Sequence, residues 1–73
     1  MKTTSALLKK YRRYESINSH NNAAKLLVDN FGTEEEKEIM KQIIERYNKI
    51  GYITNEDREL RYSISQKYYK LIV

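Results

Sequence analysis

From Leu7 to Ile72 the apolar residues return every three or four positions, and no proline and only two glycines interrupt them. That is the period of a helix, in which side chains three and four apart share a face; strand-like alternation over more than four residues is absent. A chain patterned in this way is confined to an all-α fold. Four stretches carry the pattern, so we expect one compact four-helix domain over residues 1–73.

The first stretch, residues 3 to 15, lines up Leu7, Leu8, Tyr11 and Tyr14 on one face. The polar run from Ser16 to Asn22 breaks it and offers Asn18 or Ser19 as a cap for the next helix. Residues 21 to 31 form that second helix, with Ala23, Ala24, Leu27, Val28 and Phe31 inward, and Gly32 is expected to end it as a left-handed residue. Thr33 with Glu36 three residues later reads as a capping box, and Glu34, Glu35 and Glu36 suit the positive end of a helix dipole. The third helix then carries the stripe Ile39, Met40, Ile43, Ile44, Tyr47 and Ile50, and Gly51 closes it. Thr54 with Asp57 repeats the start signal for a fourth helix over about 55 to 71, whose expected inward residues are Leu60, Ile64, Tyr68, Leu71 and Ile72. The short connection at Gly51 to Thr54 favours antiparallel neighbours, so helices three and four should form a hairpin against which one and two pack.

Length narrows the physics further. A domain of 73 residues buries only about 60% of its unfolded surface, and such small cores are commonly reinforced by disulfides, a metal or self-association. Cysteine is absent and His20 is the one histidine, so neither a disulfide nor an ordinary zinc site can be assembled; a homodimer is the expected reinforcement, and no metal or cofactor is expected. No apolar run approaches the ~18 residues of a membrane span, and the start of the chain lacks a signal-peptide core, so we expect a cytoplasmic protein with no membrane partner. Abundant Lys, Ile, Asn and Tyr, with scarce Gly, Ala and Pro, imply AT-rich codons and suggest a phage or mobile-element source.

Catalytic equipment is missing. Nucleophilic catalysis needs a base beside the nucleophile and a group that orients it, and His20, the one imidazole, lies in a polar connecting segment. Glu34, Glu35, Glu36 and Glu38 have a structural reason at a helix start, and two isolated glycines cannot form a phosphate loop. We therefore expect a protein that is not an enzyme.

Charge is unevenly spread. Lys2, Lys9, Lys10, Arg12, Arg13 and Lys25 face only Glu15 and Asp29 in residues 1 to 32, whereas the two signs balance from residue 33 on. On a helical wheel Lys9, Arg12 and Arg13 lie opposite the Leu7 and Tyr11 face, with Lys10 at the edge, which makes an acidic surface or nucleic-acid phosphates the matching partner. A second surface is expected on helix four, where Arg58, Tyr62, Ser65 and Tyr69 fall along one line away from Leu60 and Ile64. Arg and Tyr are enriched among interface anchors, so Arg58, Tyr62 and Tyr69 are candidates for binding a partner, and the alternative is that the tyrosines cover the core. The functional expectation is a small regulatory or inhibitory protein that occludes a protein engaged in a nucleic-acid process. Direct DNA or RNA binding through Lys9, Lys10, Arg12 and Arg13 is the rival, and a small assembly or scaffold subunit is a third.

Overall fold

The computed structural model describes residues 2–73, with side chains from Ser5 onward. Four α-helices follow one another: α1 Lys2–Ser16, α2 His20–Phe31, α3 Glu34–Ile50 and α4 Asn55–Tyr69, and no strand occurs among the described residues. The four-helix, all-α domain expected from the periodicity is the observed fold.

Most helix ends obey their local signals. At α3 the Thr33 hydroxyl accepts the Glu36 amide at 3.1 Å and the Glu36 carboxylate accepts the Thr33 amide at 3.0 Å, a complete capping box. Thr54 caps α4 by accepting the Asp57 amide at 3.1 Å, and Gly51 closes α3 in the left-handed region at φ 86°. Gly32 departs from expectation: it is extended, at φ −80° and ψ 168°, and the residue it precedes, Thr33, is extended too. Its small size is required for another reason. A Cβ there would lie 2.8 Å from the carbonyl oxygen of Val28, so glycine allows the chain to turn tightly off the end of α2. The left-handed residue of this half is instead Asn18, at φ 60°, a conformation that asparagine tolerates better than most. Its amide donates to the Glu15 carbonyl at 3.0 Å and the Ser19 amide to the Tyr14 carbonyl at 2.8 Å, the bond pair that terminates a helix around such a residue. Asn18 thus stops α1, and Ser19 starts α2 at once.

The element shared by all the others is α2. One of its sides, with Ala24 and Val28, meets Met40 and Ile43 of α3 and Ile64 of α4. The other side, with Ala23 and Leu27, meets Tyr11 of α1 and Ile72 beyond α4, flanked by Leu7, Leu8, Tyr14, Phe31 and Tyr69. The α3/α4 hairpin is present and antiparallel, since Glu36 near the start of α3 meets Lys67 and Tyr68 at the end of α4, while Arg46 meets Asp57 at its start. Packing centres on α2, however, and α1 meets the hairpin chiefly through it, with Tyr11 against Tyr69 as the direct side-chain contact.

Helix α4 is also rotated from the expected azimuth. Its inward line runs Asp57, Arg61, Ile64, Ser65 and Tyr68, so Leu60 at 40% exposure and Leu71 at 53% face outward, contrary to the reading of their spacing. The rotation follows from what lies opposite: Asp57 reaches Arg46 and Arg61 reaches Asn21, and satisfying those polar groups moves Leu60 off the core. The α3 stripe likewise leaves the core at its far end, where Tyr47 and Ile50 are exposed. The domain is flat, 38 × 26 × 15 Å between Cα extremes, its shortest dimension about the thickness of two packed helices. No helix among the described residues is long and apolar enough to cross a membrane.

Candidate functional site

At one end of the slab the α1–α2 turn, the last turns of α3 and the first turns of α4 enclose an open cleft of about 360 Å³. Local chemistry dictates each wall. The left-handed turn at Asn18 delivers residues 18 to 22 to it, because α2 begins immediately after the turn. Ser19 makes no side-chain bond to the helix backbone, so the first-turn amides of α2 lack the cap that Thr33 and Thr54 provide elsewhere. Ile44, Tyr47 and Asn48 of α3 and Ile53 of the connection form the opposite, more apolar wall.

The third wall is α4, and an ion pair aims it. Arg46 donates from Nε and Nη2 to the two carboxylate oxygens of Asp57, both at 2.8 Å, a fork-to-fork bond that ties α3 to the first turn of α4. This guanidinium holds the Asp57 carboxyl below its usual range, with the Thr54 hydroxyl contributing less. The residues that follow, Arg58 and Arg61, are three apart and therefore share a face, which lines the cleft. Arg61 donates from Nη1 to Asn21 Oδ1 at 2.7 Å. Among the described residues neither Arg58 nor Arg61 has a carboxylate within 4.0 Å, and no Asp or Glu lines the cleft. Burial, and secondarily the like charge of Arg58, pushes the Arg61 guanidinium below its usual range.

The expected partner-binding line is divided by the rotation of α4. Arg58 and Tyr62 are exposed, Tyr62 at 63%, and stand one turn apart. Ser65 is buried and donates to the Tyr62 carbonyl at 3.2 Å. Tyr69 is half-buried, its ring centroid 5.1 Å from that of Tyr11, so it packs α4 against α1 instead of continuing the line. The basic face of α1 is arranged as expected: Lys9, Lys10, Arg12 and Arg13 are exposed, opposite buried Tyr11, and none has a carboxylate within 4.0 Å among the described residues. Lys9 and Arg12 border a shallow groove with Ser5 and Leu8, and Lys10 borders another with Tyr14, Lys25 and Asp29.

The acidic start of α3 contributes structure. Glu34 pairs with Lys37 at 3.2 Å, Glu38 accepts from Gln42 at 3.3 Å, and Glu36 is buried, accepting from Thr33, Lys67 and Tyr68. Those donors, Lys67 foremost, hold the Glu36 carboxyl down at about 2. Among the described residues no three metal-ligating side chains converge.

Sequence reading overlooked Arg61, Tyr47, Asn21 and Asn48 as site residues and treated His20 as a solvated loop residue, whereas His20 opens α2 and lines the cleft. A signal existed for Arg61, since the i, i+3 pair Arg58 and Arg61 lies on one helix face. Nothing local could reveal Asn21, forty positions away. No protein-family model matches the chain, and comparison with curated proteins and with solved structures yields no match either.

Proposed function

We propose that this chain is a non-enzymatic regulatory protein that works by occluding a protein partner engaged in a nucleic-acid process. The observation that carries the reading is the pair Arg58 and Tyr62, exposed one turn apart on a helix that is fixed by the Arg46–Asp57 bond. Arginine and tyrosine make good anchors, because each gives a large contact area and hydrogen-bond donors, and the tyrosine ring loses little freedom on binding. Tyr47, Ile50 and Tyr52, also exposed, extend the apolar surface towards the α3–α4 connection. The basic face of α1 then steers the protein towards an acidic surface and sets the rate of encounter. A homodimer and a mobile-element source fit the small core and the AT-rich composition and belong to the same reading.

Direct nucleic-acid binding is the second reading, and it rests on Lys9, Lys10, Arg12 and Arg13 being exposed without carboxylate partners among the described residues. Two experiments separate them. Labelled duplex DNA, single-stranded DNA and RNA are titrated by fluorescence anisotropy at low and physiological salt: phosphate binding through α1 gives a log-log salt slope of about −0.9 per contact, and occlusion gives no such slope. Immobilised protein is then compared with an Arg58→Ala, Tyr62→Ala variant for capture from the source lysate. Capture of one protein, insensitive to moderate salt and lost in the variant, supports occlusion; equal capture by both overturns it.

A further inference from the structure

We propose that the cleft between α2, α3 and α4 is a binding site for one nucleotide, with Arg58 and Arg61 on its phosphate and Tyr47 against its base. This site shares Arg58 and Tyr47 with the occlusion surface above but does not rest on that reading, since Arg61, which only the cleft uses, and Tyr62, which only the occlusion surface uses, separate the two.

The cleft concentrates positive charge that the fold uses only in part, through the Arg61 bond to Asn21. A guanidinium carries five N–H donors; Arg61 spends one on Asn21, and the Arg58 side chain makes no hydrogen bond among the described residues. The molecule's other interhelical cation contacts, Arg46 with Asp57 and Lys67 with Glu36, each face a carboxylate. Arg61 is half-buried beside the like charge of exposed Arg58, and with no carboxylate within 4.0 Å of either among the described residues this is a cost that a bound anion would relieve. A phosphate fits the fork geometry of two arginines, and the first turn of α2, whose N-cap Ser19 makes no side-chain cap bond, lines the same cleft.

The rest of the lining selects what the phosphate is attached to. The lining from α3 and the α3–α4 connection, Ile44, Tyr47 and Ile53, is apolar and aromatic, a surface on which a planar ring can stack. Asn18 and Asn48 each carry a donor and an acceptor, the pattern that a nucleobase edge pairs with, while Asn22 already donates to the Ser19 hydroxyl at 3.0 Å. A volume of about 360 Å³ lies at the small end of the range for ligand sites, enough for one nucleotide. The nucleotide is either free or the 5′-phosphorylated end of a strand, because both present the same chemistry.

The test titrates the full chain with adenosine and uridine 5′-monophosphates, the matching nucleosides, inorganic phosphate, and short oligonucleotides with a 5′-phosphate or a 5′-hydroxyl. Binding is read by amide and side-chain chemical shifts of residues 18–22, 47, 48 and 58–61. Saturable shifts confined to the cleft, with a monophosphate or a 5′-phosphorylated strand binding at least about tenfold tighter than its phosphate-free counterpart, support the site. Preference for the monophosphates identifies the free ligand, and preference for the 5′-phosphorylated strand identifies the strand end. Arg58→Gln removes an exposed side chain that holds nothing together, and it should weaken binding about tenfold or more. An Arg12→Gln control should leave binding unchanged. Absence of saturable shifts, inorganic phosphate binding as tightly as the nucleotides, or Arg58→Gln binding as the parent does would each overturn the proposal.

Discussion

The two sides of α2 are built from different materials. On the side of α3 and α4 the buried residues are aliphatic or methionine, and two ion pairs, Arg46–Asp57 and Lys67–Glu36, close the hairpin beside them. On the side of α1 the buried residues are Ala23, Leu27 and Ile72 with Tyr11, and an aromatic edge is added: Tyr11 lies against Tyr69, with Tyr14 and Phe31 packed on the same cluster, and no ion pair crosses from α1 to another helix among the described residues. Aliphatic packing with clamps fixes relative positions of helices, whereas broad amphipathic rings tolerate small shifts and keep a wet edge. The cleft belongs to the clamped side and the basic face of α1 to the aromatic side. Any anchoring chemistry therefore has a rigid frame, and the steering charges ride on the softer helix.

That contrast can be broken by mutation. Ile43→Ala, at a fully buried position, should cost about 4 kcal/mol and unfold much of the population, as followed by thermal or urea denaturation. Tyr11→Ala should cost roughly 3 kcal/mol but act locally, with α1 amides exchanging faster while α3 stays protected. Equal loss of protection in both helices would mean the two sides open together and the contrast has no energetic meaning. Third in size, Glu36→Gln should cost roughly 2 kcal/mol, because it weakens charged hydrogen bonds from Lys67 and Thr33 at one point. Its pH dependence has a definite sign. Folding lowers the Glu36 carboxyl from 4.5 to about 2, so its stabilisation is complete above pH 4.5 and is lost as pH falls from 4.5 through about 2. Acid unfolding followed by circular dichroism should show that loss in the parent and a flatter profile in the variant. Gly51→Ala, forcing a side chain into φ 86°, should cost about 1 kcal/mol, with open space around it and hence no added clash. Smallest of all, Lys9→Gln, Arg12→Gln and Arg13→Gln together should move stability by no more than about 0.5 kcal/mol, since these side chains are exposed and unpaired by carboxylates among the described residues.

How far the sequence could be read depended on the range of each interaction. Capping signals act over three residues, and those of Thr33 with Glu36 and Thr54 with Asp57 were legible, as were the inward faces of α1 and α2. The azimuth of α4 was not, because it depends on Asp57 finding Arg46 and Arg61 finding Asn21, eleven and forty positions away. Once that rotation is set, Leu60 turns outward and Tyr69 turns in, while Leu71 lies exposed in the turn beyond the end of α4. The turn glycine was misread for a different reason: Gly32 is required by a close approach to the Val28 carbonyl and not by its dihedral angles, and proximity leaves no local mark in a sequence. Of the candidate site, Arg58 and Tyr62 were visible as an exposed i, i+4 pair, while the cleft beside them arises only when three separate segments meet.

The placement of Ile72 has a consequence for a chain emerging from the ribosome. Ile72 is buried against α2 and Tyr11, and Tyr68, four residues before it, touches both core clusters and donates to Glu36. A nascent chain that ends before this point has formed α2 and α3 but cannot seal either side. Its α3 start already has Thr33 and waits for the partners from α4 that arrive 31 and 32 positions later. During synthesis the apolar faces of α2 stay uncovered until α4 and Ile72 are available, so closure of both sides together, and not stepwise growth, is the expected folding route of this domain.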